Sequence, residues 1–586
     1  MTESRSTVGG RQTTRVLDTM SGRPAACVAI ELFRVEDARR THRVSVRTDA
    51  DGRCDAPLLG CSSRLTATRP IGAADDSFDA TSDFGTDMAM RDTVRFLLGS
   101  ELKELREVDP TMTVLDWLRN VERRVGTKEG CAEGDCGACT VALGRLRTGR
   151  VEYQAVNACI LFVGQLDGRQ LLTIEDLKGP DGAPHPVQQA LVDCHASQCG
   201  FCTPGFAMSL FALYENDPKG DHSNTALSTQ RVDDALAGNL CRCTGYTPIV
   251  AAAHRMLQLS RGTPDRFASE RPHTLARLEA LQDDATVAVG ENGRRFYAPG
   301  TADDLASLLI EHPKACIVAG ATDVGLWVTK NLHDLNPIIH VGRVKELGEI
   351  VDTGEALEIG AAVTYADATP ALAALYPDLG EMFRRLGGEQ VRNAGTIGGN
   401  IANGSPIGDS PPALIAAGAR LVLRRGKERR ELPLENFFID YGKQDRTPSE
   451  FIEKVIVPKP APGLRYRAYK ISKRFDQDIS SVLGTFALRV EDGKVVSIRI
   501  AYGGMAATPR RAYHAENDIT GQPWNEATVQ AAMSALKRDF TPLTDWRASA
   551  AYRVSVARNL LRRLFIETTD ETVETRLVGD RSLAHV

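Results

Sequence analysis

Eight of the thirteen cysteines in this 586-residue chain form two groups within the span from Cys131 to Cys243, and that crowding constrains the first half of the chain more than any other feature. Cysteines so spaced call for a metal, because disulfide frameworks belong to short secreted chains that lack a sufficient core. The other five, Cys27, Cys54, Cys61, Cys194 and Cys316, are scattered and read as ordinary small thiols. A single core stops growing well below this length, so roughly four domains are expected. A net charge of -5 gives no electrostatic footprint for nucleic acid. No run approaches the ~18 apolar residues of a membrane span, and Met1-Thr2-Glu3-Ser4-Arg5 lacks the apolar core of a secretory signal. The expectation is a cytoplasmic protein without membrane or nucleic-acid partners.

The first group is Gly130-Cys131-Ala132-Glu133-Gly134-Asp135-Cys136-Gly137-Ala138-Cys139, a C-x4-C-x2-C pattern with Cys159 as a distant fourth thiol. This is the plant-type ferredoxin spacing for a [2Fe-2S] cluster. Strand patterns at Arg95 to Leu98 and Val151 to Tyr153, and helical spacing from Val114 to Arg124, place it in a small mixed unit. Gly130, Gly134 and Gly137 permit the backbone conformations a cluster-wrapping loop needs. A four-cysteine zinc site would use the same ligands, but zinc knuckles come as paired C-x2-C, and the asymmetric spacing favours iron.

The second group pairs Cys199-Gly200-Phe201-Cys202 with Cys241-Arg242-Cys243. Helical patterns flank it at Val187 to Val192, Pro204 to Tyr214 and Arg231 to Leu236, with Thr247 as N-cap and Pro248 opening a fourth helix. Four short helices would set two cysteine-bearing turns face to face at one end of a bundle. Taken alone, this pattern is ambiguous between zinc and iron.

In order, GCAEGDCGACTV, QCGFCTPGF and NLCRCTGYTPI resemble the iron-sulfur portion of the molybdenum hydroxylases. The resemblance implies one [2Fe-2S] cluster on Cys131, Cys136, Cys139 and Cys159, and a second on Cys199, Cys202, Cys241 and Cys243. Gln198 matches the family's glutamine beside the cluster nearest the molybdenum cofactor. The polar segment Glu215 to Gln230 is longer than the family's connection, an insertion that a surface loop absorbs cheaply.

Beyond a polar stretch, two glycine-rich loops stand out, Ile317 to Gly325 and Gly395 to Asn400. Small residues there let backbone N–H groups approach a pyrophosphate, with threonine hydroxyls as further donors. Neither is a G-x-G-x-x-G fingerprint, so a Rossmann site is not supported, and ordinary tight turns remain the competing reading. The runs VAGATDVG, VRNAGTIGGNIANGSPIGDSPPAL and AYGGMAATPRRA are similar to the FAD portion of the same family, whose flavin domain shares the vanillyl-alcohol oxidase fold. That resemblance implies FAD contacts from Ile317, Val318, Ala319, Gly320, Ala321, Thr322, Asp323, Val324, Thr396, Ile397, Gly398, Gly399, Asn400, Asp409, Ile452 and Lys470. Leu386 stands where many relatives place a flavin-stacking phenylalanine. Tyr441 and Asp478 fall near where NAD would reach the flavin, although Lys470 and Asp478 also read as a simple ion pair.

Residues Thr13 to Gly60 are similar to the first half of the 5-hydroxyisourate hydrolases, a transthyretin-like sandwich. Arg15 replaces that family's catalytic histidine, only Arg47 matches a catalytic position, and the second half is absent. An inactive, loosely docked fragment is expected, with Met88 or Met90 a natural start for the remainder.

The expected layout is multidomain α+β. It runs as a truncated transthyretin-like fragment (1–60), a linker (61–90), a plant-type ferredoxin β-grasp (91–175), a four-helix [2Fe-2S] bundle (176–262), a linker (263–290), a vanillyl-alcohol-oxidase-like FAD domain (291–460) and an α/β C-terminal flavoprotein domain (461–575). The resemblance implies the small subunit of a purine-oxidising dehydrogenase. It would carry electrons through two [2Fe-2S] clusters and FAD to NAD, beside a large subunit holding the molybdenum cofactor, two copies of each. Equivalent subunits serving aldehydes, carbon monoxide or aromatic acyl-CoA compounds are the alternative, as are a diaphorase and a zinc scaffold.

Overall fold

The computed structural model describes residues 88–179, 181–216, 227–259, 265–570, 572–573 and 575, and the backbone of two further strands, Ala29–Glu36 and Arg39–Arg47. Those two strands form an antiparallel hairpin with an irregularity between Leu32 and Phe33. The hairpin lies in the unit Met1–Asp83, and everything else below lies in the unit Phe84–Val586. Apart from this hairpin backbone, the expectations for residues 1–60, including Arg15, Cys27 and Cys54, and for the linker as far as residue 87, Cys61 included, lie outside the described residues. So does most of the Glu215 to Gln230 insertion.

A five-stranded sheet orders Glu101–Leu105, Val94–Leu98, Gln170–Leu172, Thr140–Arg147 and Arg150–Asn157. Val94–Leu98 and Gln170–Leu172 run parallel, Leu97 facing Gln170, and the other neighbouring pairs are antiparallel. Across it lies the helix expected from Val114, in two pieces. Val114–Asp116, capped by Thr113, is α-helical, and Trp117–Val121 widens to a π turn. Trp117 and Leu118 are adjacent yet both buried, which the wider turn accommodates, and Trp117 meets Phe96 edge-on at 5.4 Å.

Four helices follow, Pro186–Asp193, Thr203–Glu215, Thr229–Leu236 and Thr247–Leu259, around a core that includes Val187, Phe206, Leu210, Val232 and Met256. Thr247 is the first helical residue and not the cap. The segment 263–290, expected as linker, carries the helix Arg266–Ala280 capped by Asp265 and then the strand Thr286–Glu291. Its polarity misleads because only a narrow stripe is covered. Phe267 and Leu278 are buried, Phe267 lying 4.8 Å from Phe211, in a core shared with Leu97 and Tyr153 of the first sheet. Each large side chain so buried contributes about 1.5–3 kcal/mol, enough to weld the two cysteine-bearing domains together.

Three helix ends meet at His185. Its Nδ1 accepts from Val187 N at 3.2 Å, and its Nε2 faces Asp265 at 3.0 Å and Glu215 at 3.5 Å. Burial pushes the Glu215 carboxyl up to about 7, whereas Asp265 falls to about 2 because, against its burial, His185, Glu215 and the Ala268 N–H favour the charged form. Burial lowers His185, but the two carboxylates outweigh it and raise it. Unfolded, Glu215 titrates near 4.3. Between there and about 7 the folded chain therefore holds the extra proton, so stability falls as pH rises through that window, and His185 adds a loss of the same sign. Hydrogen exchange at the Val187 and Ala268 amides, corrected for intrinsic rates, is expected to lose protection from pH 5 to 8. A Glu215→Gln variant should show a flatter profile; equal profiles would show that Glu215 is not the titrating group.

The next domain has two sheets. Cys316–Val318, Ile338–His340, Arg294–Ala298, Thr286–Glu291 and Met90–Arg91 form one; Ile350–Asp352, Ala356–Gly360, Phe451–Pro458, Arg420–Arg425 and Glu428–Pro433 form the other. Met90 and Arg91, from before the first cysteine domain, thus pair in parallel with Thr286 and Val287. Arg91 and Arg343 both pair with Asp167 and Asp283, pinning that edge. The apolar core beneath, with Phe96, Phe162, Phe296 and Ile338, is continuous with that of the ferredoxin-like sheet.

The last domain is an antiparallel sheet of Arg465–Ile471, Val482–Glu491, Lys494–Gly503 and Arg510–Arg511. The helices Tyr513–Ile519, Glu526–Asp539 and Ala550–Thr569 pack on it.

Candidate functional site

The loop from Gly130 to Cys139 folds around its own sulfurs. Cys131 N donates to Cys136 Sγ at 3.3 Å, and Asp135 N and Cys136 N donate to Cys131 Sγ at 3.4 and 3.3 Å. Gly134 and Gly137 have φ of +77° and +69°, and Ala132 joins them at +52°, a non-glycine in a costly conformation. Gly130 is needed for a different reason than its dihedral: a Cβ there would lie 2.7 Å from Cys136 Sγ. Cys131 contacts Cys136 and Cys159, and Cys159 contacts Cys139, so the four thiols form one group. Neighbouring thiols lower Cys131 and raise Cys136 and Cys159, and a metal bound there would displace the thiol protons. Cys139 and Cys159 are each 2% exposed.

The second set sits at the exposed end of the four helices. Cys199 contacts Cys243, and Cys202 contacts Cys241. Gly200 and Gly245 have φ of +83° and +69°, as the two tight turns require. The Phe201 N–H, then Cys243, lower Cys199, and burial pushes Cys202 up to about 12. Thr244 Oγ1 donates to Cys241 Sγ at 3.3 Å, and Cys241 N donates to the Tyr246 hydroxyl at 3.0 Å. Gln198 is exposed beside the set. Four sulfurs with N–H and hydroxyl donors aimed at them suit an iron–sulfur cluster in each place.

The two glycine-rich loops close on a cavity of about 490 Å³. Ile317, Ala319, Gly320, Ala321, Thr322, Asp323 and Val324 of the first loop line it, with Thr396, Gly398, Gly399 and Asn400 of the second and with Leu386 and Ile452. Val318 and Ile397, expected at the ligand, are fully buried in apolar cores. Asp409 and Lys470 are absent from the lining. They pair with each other at 2.6 Å in a buried site where Ser480 Oγ also donates to Asp409 at 2.6 Å. Lys470 therefore does not pair with Asp478, which instead accepts from Lys473 N and Arg474 N at 2.9 and 3.0 Å. Tyr441 is 74% exposed.

The glycines of these loops chiefly let backbone pack on backbone. A Cβ on Gly320 would lie 1.7 Å from Ala394 O, and one on Gly398 2.5 Å from Ala361 O. Thr396 Oγ1 is committed to capping, accepting from Gly399 N at 3.0 Å. Asn400 Oδ1, by contrast, is buried at the cavity with no hydrogen-bond partner among the described residues. An unmet acceptor beside small and aliphatic lining residues fits a planar, N–H-bearing cofactor such as a flavin. Sequence reasoning missed Trp327, Tyr365, Asn403 and Arg446 in the lining. Their places depend on chain folding, and no local pattern marks them.

Family models cover most of this unit. Residues 98–163 match the 2Fe-2S iron-sulfur cluster binding domain and residues 173–254 the [2Fe-2S] binding domain. Residues 291–460 match the FAD binding domain in molybdopterin dehydrogenase, and 467–568 the CO dehydrogenase flavoprotein C-terminal domain. Residues 12–74 match the HIUase/Transthyretin family. Xanthine dehydrogenase of Emericella nidulans is 30% identical over 579 residues, 89% of this chain and 41% of that protein. Aldehyde oxidase 1 of Bos taurus is 30% identical over 486 residues, 73% of this chain and 36% of that protein. A solved carbon monoxide dehydrogenase chain from Hydrogenophaga pseudoflava is 30% identical, covering 46% of this chain and 94% of its own, with a TM-score of 0.44. The chain spans about two fifths of the length of the curated relatives it matches. Among the described residues no helix is long and apolar enough to cross a membrane.

Proposed function

Since this chain carries the two iron–sulfur domains and the FAD domain of the molybdenum hydroxylases, we propose that it is the electron-transfer subunit of a xanthine dehydrogenase. It works beside a larger subunit with the molybdenum cofactor, two copies of each, and delivers electrons to NAD. One observation carries the reading. The short helix Val324–Thr329 begins in the wall of the flavin cavity and ends on the first cysteine loop. There Thr329 Oγ1 donates to Ala132 O at 2.8 Å and the Lys330 ammonium donates to Cys131 O. Within the helix, Gly325 lies so close to Ile160, next to Cys159, that a Cβ would come within 2.7 Å of it. A zinc scaffold has no need of a flavin cavity held against its thiols.

Cys131, Cys136, Cys139 and Cys159 would hold one cluster, Cys199, Cys202, Cys241 and Cys243 the other, and the cavity the FAD. Bound there, clusters and flavin supply one-electron carriage and its conversion to hydride chemistry. The protein's own part is to keep solvent from Cys139 and Cys159 while leaving the second set open. Beside that open set Phe201 is 48% and Tyr246 40% exposed, an apolar rim suited to the larger subunit. The N-terminal match to the HIUase/Transthyretin family favours a purine. An aldehyde-oxidising equivalent is the second reading, favoured by the equal identity to aldehyde oxidase 1.

The purified chain should contain roughly four irons and one FAD, with a visible band that bleaches on reduction. A Cys136→Ala variant should lose about half the iron and keep its flavin. Zinc without flavin would overturn the proposal. With the larger subunit present, bleaching by xanthine and not by an aldehyde separates the two readings.

A further inference from the structure

The two cysteine loops touch directly. Leu240 N, adjoining Cys241, donates to the carbonyl oxygen of Cys136 at 3.0 Å. One residue of each ligand set is therefore joined to the other by a peptide bond and a single hydrogen bond. Behind this bridge lies a buried polar seam that draws on three domains: Thr140 from the first, Ser209 and Asn239 from the second, and Gln390 from the flavin domain, each no more than 3% exposed.

The hydrogen-bond roles in the seam can be assigned consistently. The Thr140 hydroxyl donates to Gly137 O at 2.7 Å, leaving its lone pairs to accept. Asn239 Nδ2 donates to Gly137 O at 3.1 Å and to Thr140 Oγ1 at 3.3 Å. Ser209 Oγ donates to Asn239 Oδ1 at 2.6 Å. What remains are acceptors at Thr140 Oγ1, Asn239 Oδ1 and Ser209 Oγ, and the amide nitrogen of Gln390 lies 3.0, 2.9 and 3.2 Å from them. No other side chain of the flavin domain hydrogen-bonds to these atoms among the described residues. Glycines leave the passage open. A Cβ on Gly238 would lie 1.6 Å from Gln390 Oε1, and one on Gly388 2.4 Å from Gly238 Cα.

We propose that Gln390 is a positioning residue for electron transfer: inserted from the flavin domain, it clamps Asn239 and Thr140 and so holds the Leu240–Cys136 bridge between the two clusters at its working length. This rests on the reading that both cysteine sets hold clusters. A donor pair on one rigid amide bridges two loops at once; Gln390 Oε1 has no partner among the described residues, and because the amide faces acceptors it is the nitrogen that must point into the seam. The flavin domain thereby sets the geometry of a step that takes place outside it.

The test uses the full chain with its clusters loaded, comparing wild type with Gln390→Met, close in size but without donors, and with the milder Ser209→Ala. Iron and flavin content are measured first. Wild type without two distinct reduced-cluster signals in electron paramagnetic resonance would refute the cluster reading itself, and this inference with it. With both signals present and iron at the wild-type level, Gln390→Met should weaken the magnetic coupling between the reduced clusters. It should also slow inter-cluster transfer in rapid-mixing reduction on the order of tenfold, the scale set by a sub-ångström misplacement. The Leu240 amide should exchange roughly tenfold faster, as loss of a buried hydrogen bond implies. Ser209→Ala should show the same changes to a smaller degree. Unchanged coupling and rate in fully loaded Gln390→Met would overturn the proposal. Should that variant lose iron, Ser209→Ala decides on the same readouts.

Discussion

Replacing Gly320 with alanine should strip the protein of FAD while leaving both iron–sulfur absorptions in place. The new methyl would lie 1.7 Å from Ala394 O and 2.3 Å from Ala394 C, and these are backbone atoms with no rotamer to give way. One of the two cavity loops must move, and with it Thr322 or Thr396 in the cavity lining. Overpacking of this kind costs about 1–3 kcal/mol. Charged to ligand binding, that is roughly tenfold to a hundredfold in affinity. Gly399→Ala is the internal control, because its methyl would meet only the Thr396 hydroxyl at 2.8 Å and Ala319 Cβ at 4.0 Å. Flavin fluorescence titration of the deflavinated proteins gives both affinities. Equal binding by wild type and Gly320→Ala would refute the close-packed cradle.

The second large effect is expected from Lys470→Met. Lys470 and Asp409 are 3% and 6% exposed and pair at 2.6 Å, so the variant leaves a buried carboxylate with Ser480 as its remaining side-chain donor. Breaking a buried pair from one side costs about 3–5 kcal/mol. Removing both partners costs much less, so the double variant with Asp409→Leu should recover most of the loss. Because the pair joins the start of the helix Ser410–Ala417 to the strand Arg465–Ile471, urea-induced flavin release is a suitable readout. A double variant no better than Lys470→Met would mean that the carboxylate is not what destabilises.

The cysteine sets were legible because ligand spacing is a local property, and the helices beside the second set because their apolar spacing is local too, although Thr247, read as a cap, opens its helix instead. The flavin residues were legible only as loops. Gly320 and Gly398 look like ligand-approach glycines in sequence, but their tightest contacts are with Ala394 and Ala361. Asp409 and Lys470 look like ligand contacts and satisfy each other. A lone acid and a lone base in sequence do not reveal that they meet. The helix Arg266–Ala280 was hidden by its polarity, since its buried positions are Phe267 and Leu278. Gln390 carried no signal at all. Its role exists only once three domains are assembled around it.

The parallel pairing of Met90 and Arg91 with Thr286 and Val287 has a bearing on genetics. Residues 92–285 amount to a cassette spliced into the edge of another domain's sheet, with the host resuming on the far side. Severing the polypeptide just before residue 263 would not yield two independent modules. The C-terminal piece would be missing an outer strand and the N-terminal piece would carry it as an orphan. Coexpressed halves would have to find each other to finish a sheet that neither can close alone.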